Sequence, residues 1–168
     1  MRQHSEVFID KFQESLHDLL ECYTGVRQQA TEDCQTDAMY DLIAVVGLCD
    51  NRFRASVSLT TTCDLIENQF KVKATFAPDY LGELCNQLVG RLKNKLTVFG
   101  LQPNLSTPTI VSGEVLSVNS FAGDTCTLRV DLGDGQILAQ MSLEVDDELQ
   151  LVENSELTSL AEGSLQLF

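Results

Sequence analysis

The stretch Pro78-Asp79-Tyr80-Leu81-Gly82-Glu83-Leu84-Cys85-Asn86-Gln87-Leu88-Val89-Gly90-Arg91-Leu92 decides how the rest of the chain is read. Leu81, Leu84, Cys85, Leu88 and Leu92, with Leu96 beyond them, recur at spacings of three and four. That period matches the turn of an α-helix and predicts one apolar stripe. Pro78 and Asp79 suit the opening of such a helix, and Gly100 closes it. With about 100° per residue and Leu81 at zero, the leucine face centres near 20°. Asp79 then falls at about 160°, Glu83 at about 200°, Asn86 at about 140° and Gly90 at about 180°. Spacing alone therefore gathers these four on the side away from the core. Gly90 is the odd member, because a glycine in an exposed helix interior costs about 1 kcal/mol relative to alanine. It is a tolerated helix glycine, one packed against a neighbouring element, or one that clears space for an approaching backbone.

Working outward, Leu42-Ile43-Ala44-Val45-Val46-Gly47-Leu48 is a short apolar run rich in β-branched residues, and Phe53 to Leu59 alternates apolar with polar. Asp50-Asn51 between them carries turn chemistry, so the pair predicts a hairpin. Thr62 to Phe70 predicts a short helix with Thr62 as its cap. After the long helix, Thr109 to Val118, Thr125 to Leu132 and Gln136 to Val145 read as three meandering strands, with turns at Asn119–Gly123 and Gly133-Asp134-Gly135. Near the N-terminus, Phe8, Phe12, Leu16, Leu19, Leu20 and Tyr23 form a second helical stripe, with His17 beside it in a structural or surface role. Val26 to Thr36 reads as a loop, and Asp146 to Glu162 as an acidic, solvated tail with a last helical turn. No repeat, low-complexity tract or linker divides residues 1–168, which read as one domain. The predicted class is α+β, a mainly antiparallel sheet with two long helices packed on one face.

Eleven Lys and Arg stand against 25 Asp and Glu, a net charge of −14. A field of that sign repels phosphate backbones and anionic lipid, so neither nucleic acid nor a membrane surface is an expected partner. No apolar run is long enough to span a bilayer. Six cysteines include no Cys-x-x-Cys pair, and only two histidines accompany them, so no metal site is expected. Buried, reduced thiols in a cytoplasmic protein are the simpler reading. The chain also lacks a phosphate-cradling glycine loop and a Gly-x-Ser-x-Gly nucleophile elbow.

The long helix resembles that of the CheC/CheX/FliY phosphatases, which act on the phosphorylated chemotaxis regulator CheY. The family pattern is Asp or Ser, three residues, Glu, two residues, Asn, 21 residues, Pro; here it falls on Asp79, Glu83, Asn86 and Pro108 with every interval matched. Chance agreement at all four positions is on the order of a few in a thousand chains. Asn86-Gln87-Leu88-Val89-Gly90 with Lys93 and Leu96, and Leu105 to Gly113, are similar to the family helix and its following strand. Glu83-Leu84-Cys85-Asn86 is the only Glu-x-x-Asn in the chain, which favours the single-site CheX-like branch. Arg91 departs from the small or amide residue often found there, and it flanks the functional face, where it bears on which regulator docks.

The resemblance implies an aspartyl-phosphate phosphatase acting on a CheY-like receiver domain in two-component signalling. A non-catalytic regulator-binding or scaffolding module is the alternative. Asn86 would orient the attacking water, and Glu83 would pair with a lysine beside the phosphorylated aspartate. Gly90 would clear the approach, Asp79 also suits a helix cap and dipole partner, and Pro108 would shape the way into the next strand. The protein would need no cofactor of its own, since Mg²⁺ would arrive on the phosphorylated regulator. A homodimer joined through sheet edges is also implied, with short apolar strands such as Leu42 to Leu48 as candidates.

Overall fold

The computed structural model describes residues 2–27, 29–32, 39–116 and 123–153. Its elements are α1 (Arg2–Thr24), β1 (Ala30–Glu32), β2 (Tyr40–Asp50), β3 (Phe53–Thr61), α2 (Cys63–Phe70), α3 (Ala77–Leu96), β4 (Asn104–Leu105), β5 (Thr109–Leu116), β6 (Asp124–Asp131) and β7 (Gln136–Val145). The strands form one sheet in the order β1-β6-β7-β3-β2, with β4 and β5 both paired to the far side of β2. Every described pairing is antiparallel. Alternation sends one row of β2, β3, β6 and β7 inward, and the register aligns Val46, Val57, Met141 and Cys126 across these four strands. Against that face lie α1, through Phe8, Phe12 and Leu16, and α3, through Leu81, Leu88 and Leu92, all in one core. The α+β arrangement with two long helices on one face is therefore what forms.

Local chemistry explains the connections. The Thr62 hydroxyl accepts from the Leu65 N–H at 3.2 Å and caps α2 as expected. At the tip of the β2–β3 hairpin, the Asp50 carboxylate accepts from the Arg52 guanidinium at 3.1 Å and the Gln102 N–H at 3.2 Å, while Arg52 also donates to the Gly100 carbonyl at 3.0 Å. The hairpin is thus tied to the segment that leaves α3. The Arg52 hydrogen bond holds the Asp50 carboxyl below its usual pKa.

Several expectations need correction. The segment 26–36 is not all loop, because Ala30–Glu32 pairs with β6; three residues are too few to show alternation. His17 accepts the Ala30 N–H at 3.4 Å, a structural role. The last three strands do not meander, since β5 pairs with β2 while β6 and β7 form a hairpin on the opposite side of β3. Leu42 to Leu48 is interior, flanked by β3 on one side and β4 and β5 on the other, so it cannot offer a free edge. Tyr23 stands outside the apolar stripe, 38% exposed. Cys85 and Cys126 are buried, but Cys22 and Cys49 are exposed. Leu149 folds back on a turn closed by its N–H to the Asp146 carbonyl, and no helix forms between 146 and 153. Cys34, the end of the first post-helix strand at Val118, the turn over 119–122 and the tail beyond 153 lie outside the described residues.

Candidate functional site

The site is built on α3. Its N-cap is Phe76, with no side-chain capping bond, so Asp79 is not the cap; it lies in the first turn, where its charge favours the helix dipole. Pro78 occupies the first turn, where a missing N–H costs no hydrogen bond. Leu81, Leu84, Cys85, Leu88, Leu92 and Leu96 are buried, as the period required. Asp79 and Glu83 are exposed and Asn86 and Gly90 half-buried, so the structure brings the four to the open side of one helix.

Two glycines differ in what surrounds them. A Cβ on Gly90 would meet nothing within 4 Å, which removes the reading that it packs against a neighbour and leaves a clear helix surface. A Cβ on Gly82 would stand 2.9 Å from Ile110 Cδ1 and 3.8 Å from Pro108 Cβ. Gly82 therefore lets α3 settle onto the start of β5, and Pro108 packs beside the residue that precedes Glu83. Gly82 was missed in the sequence; its signal was a glycine beside Leu81, at the margin of the apolar stripe.

The polar groups are held differently. Gln87 donates from Nε2 to Glu83 Oε1 at 3.0 Å, and the Tyr23 hydroxyl donates to Gln87 Oε1 at 2.9 Å. The Asn86 amide makes no hydrogen bond to any described residue. Beneath it, the Cys85 thiol lies 3.6 Å from the Ala44 carbonyl oxygen and 3.7 Å from that of Val57. Burial pushes this thiol up to about 12, so it stays protonated and is no nucleophile. Arg91, half-buried, follows Gly90 at the edge of the face. Among the described residues no group of three or more His, Cys, Asp and Glu is placed to hold a metal ion, and no helix is long and apolar enough to cross a membrane. A cavity of about 190 Å³ lies elsewhere, lined by Ser5, Asp124, Leu143 and Glu144 among others, and it contains no motif residue. The candidate site is an open helix surface rather than a cavity.

Solved structures share this architecture. A CheC-like superfamily protein from Shewanella sp. PV-4 superposes with a TM-score of 0.69 at 21% identity, over 82% of this chain and 97% of that one. CheX from Vibrio vulnificus gives 0.68 at 20% identity, over 82% and 99%. The chain has the CheC/CheX fold. A third CheX-fold neighbour is the CheX of Borrelia burgdorferi, solved in complex with CheY, BeF3 and Mg²⁺, with a TM-score of 0.68 at 12% identity over 82% and 97%. The more distant FliM middle domain of H. pylori gives 0.53 at 10% identity, over 80% and 86%. No family model and no curated protein matches the chain. In this chain α3 carries both Glu83 and Asn86.

Proposed function

We propose that this protein is a phosphatase of receiver-domain aspartyl phosphates, with Asn86 and Glu83 entering the regulator's phosphorylation site. The observation that carries the reading is the side-by-side presentation of an exposed Glu83 and an uncommitted Asn86 amide on the open face of α3. The fold is shared with a CheX solved bound to CheY, which makes a CheY-like regulator the natural substrate.

The chemistry follows from the substrate. An aspartyl-phosphate is an activated acyl phosphate beside a bound Mg²⁺, which belongs to the regulator and balances the charge on the phosphoryl oxygens. Water attacks phosphorus, the bond from phosphorus to the aspartyl oxygen breaks, and the products are inorganic phosphate and a free carboxylate, with the water proton passing to phosphate or solvent. An amide has an acceptor and two donors and does not titrate near neutrality. Asn86 therefore holds the water in line rather than taking its proton, an effect on the order of 10²-fold. Glu83 pairs with a lysine beside the phosphorylated aspartate and sets the register of the helix. Gly90 keeps the approach clear, Asp79 and Arg91 border it, and Pro108 supports the helix from below.

Two further features complete the reading. Free thiols at Cys22, Cys49 and Cys63 suit a reducing, cytoplasmic setting. A homodimer forms through β5, whose outer edge is unpaired among the described strands and which exposes Val111 and Val115. Sedimentation of the wild type against Val115→Lys tests the dimer; a wild-type monomer sinks that part. The phosphatase itself is tested by phosphate loss from a panel of phosphorylated receiver domains, with Asn86→Ala alongside. Faster loss with the wild type alone supports it. Phosphorylation-dependent binding without turnover would make the protein a regulator-binding module instead.

A further inference from the structure

Glu83 is a flexible, exposed side chain, yet its carboxylate is not left to itself. Three rings from three helices meet beside it. Tyr23, in the last turn of α1, lies 6.1 Å from Phe70 of α2 at 83° and 6.2 Å from Tyr80 of α3 at 80°. Phe70 and Tyr80 are themselves 5.4 Å apart. Edge-to-face contacts of this kind fix where a ring sits. They fix Tyr23 so that its hydroxyl reaches Gln87 Oε1 at 2.9 Å, and Gln87 Nε2 reaches Glu83 Oε1 at 3.0 Å.

The polarity of this relay has one solution. An ionised carboxylate only accepts, so the Gln87 NH₂ must face Glu83 and its carbonyl must face away. Tyr23 supplies the donor which that carbonyl needs. If the amide were reversed, its oxygen would confront the carboxylate and the tyrosine would have to accept instead. The hydroxyl thus selects the orientation of Gln87 that engages Oε1 of Glu83 and leaves Oε2 without a hydrogen bond to any described residue.

The geometry points to Tyr23 and Gln87 as positioning residues that pre-set the Glu83 carboxylate for an incoming cationic side chain on the regulator. The inference rests on the phosphatase reading above, in which Glu83 docks the partner. Ordering a long side chain before docking removes part of the rotamer cost that would otherwise be met on binding. The gain falls on encounter and register, while the water held by Asn86 is untouched.

The test uses the full chain and the receiver domain that the wild type dephosphorylates most rapidly in the panel. Tyr23→Phe removes one oxygen and keeps the three rings, and Gln87→Met keeps the length of the side chain without its amide. Each should raise KM about three- to tenfold and leave kcat within about twofold. Both changes should vanish in a Glu83→Ala background, because the two residues act through Glu83. An unchanged KM in both variants overturns the inference while the phosphatase stands. So does a loss that persists in Glu83→Ala, which would mean that Tyr23 touches the regulator directly. A wild type that accelerates no receiver in the panel is a different failure: it overturns the phosphatase reading, and the positioning role falls with it.

Discussion

Gly82 and Ile110 meet in close contact: a Cβ on Gly82 would lie 2.9 Å from Ile110 Cδ1 and 3.2 Å from its Cγ1, so the isoleucine would have to move to admit one. This contact seats the first half of α3 on β5, directly beneath the turn that presents Glu83. It also gives the long interval of the motif a physical meaning. Pro108 begins the segment that returns to the helix, and its ring packs at the same place rather than reaching toward substrate.

Gly82→Val should therefore lift the helix from the strand. Overpacking of this size costs about 1–3 kcal/mol, and displacing Glu83 and Asn86 together should lower kcat/KM for a phosphorylated receiver. Adding Ile110→Ala restores space and should recover part of both losses. Thermal unfolding and phosphate release on the single and double variants check this; a double variant worse than the single would show that volume is not the issue.

Asn86→Ala should drop stimulated phosphate release by about 10²-fold with little change in binding. The sharper case is Asn86→Asp, which keeps the shape and supplies a base. If the amide orients water, the aspartate variant should be no better than alanine, and worse at docking because it adds a negative charge near the phosphoryl group. An aspartate variant as fast as the wild type would point to proton abstraction instead.

Gly90→Ala should separate stability from activity. Its Cβ meets nothing within 4 Å, so the helix gains about 0.5–1 kcal/mol. The same methyl enters the face proposed to approach the regulator, so KM should rise. A variant that is more stable and equally active would mean that no backbone comes near Gly90.

The main architecture was legible because α3 and the β2–β3 hairpin carry strong, uninterrupted periods. Leu81 to Leu96 and Phe53 to Leu59 repeat often enough for burial on one side to be read from spacing. The strand order was not, since the same alternation suits β5 beside β6 or beside β2, and only long-range pairing decides. Tyr23 had the right spacing for the core stripe but lies at the end of α1, where the helix leaves the sheet and meets Phe70 and Tyr80. In the site, the placement of Glu83, Asn86, Asp79 and Gly90 on one open face followed from helical geometry. The relay through Gln87 did not, because its other end is on α1, 64 residues away in sequence.

Cys85 should mark the fold's response to alkali. Burial raises its thiol from 9.0 to about 12, so the folded state keeps a proton that the unfolded chain releases. Its contribution is present in full below about pH 9 and declines toward pH 12, by about 1.4 kcal/mol for each pH unit. The stability difference between wild type and Cys85→Ala should accordingly narrow between pH 8 and 11. At pH 8, a thiol reagent should modify the exposed Cys22 and Cys49 and spare Cys85; rapid labelling of Cys85 in the folded protein would contradict its burial.

The pairing of Ala30 with Val130 joins residues about a hundred positions apart, through a strand only three residues long. During synthesis β1 has no partner until β6 has emerged, whereas β2 and β3 can zip locally. So few ladder bonds repay little of a closure that large, so this margin of the sheet should be the last to form and the first to open. Amide exchange at Ala30–Glu32 should run ahead of exchange in β2 and β3. The long edge at β5 and the short one at β1 thus differ in tempo as well as in length, and the nascent chain completes the helix that carries Glu83 and Asn86 before its sheet is closed.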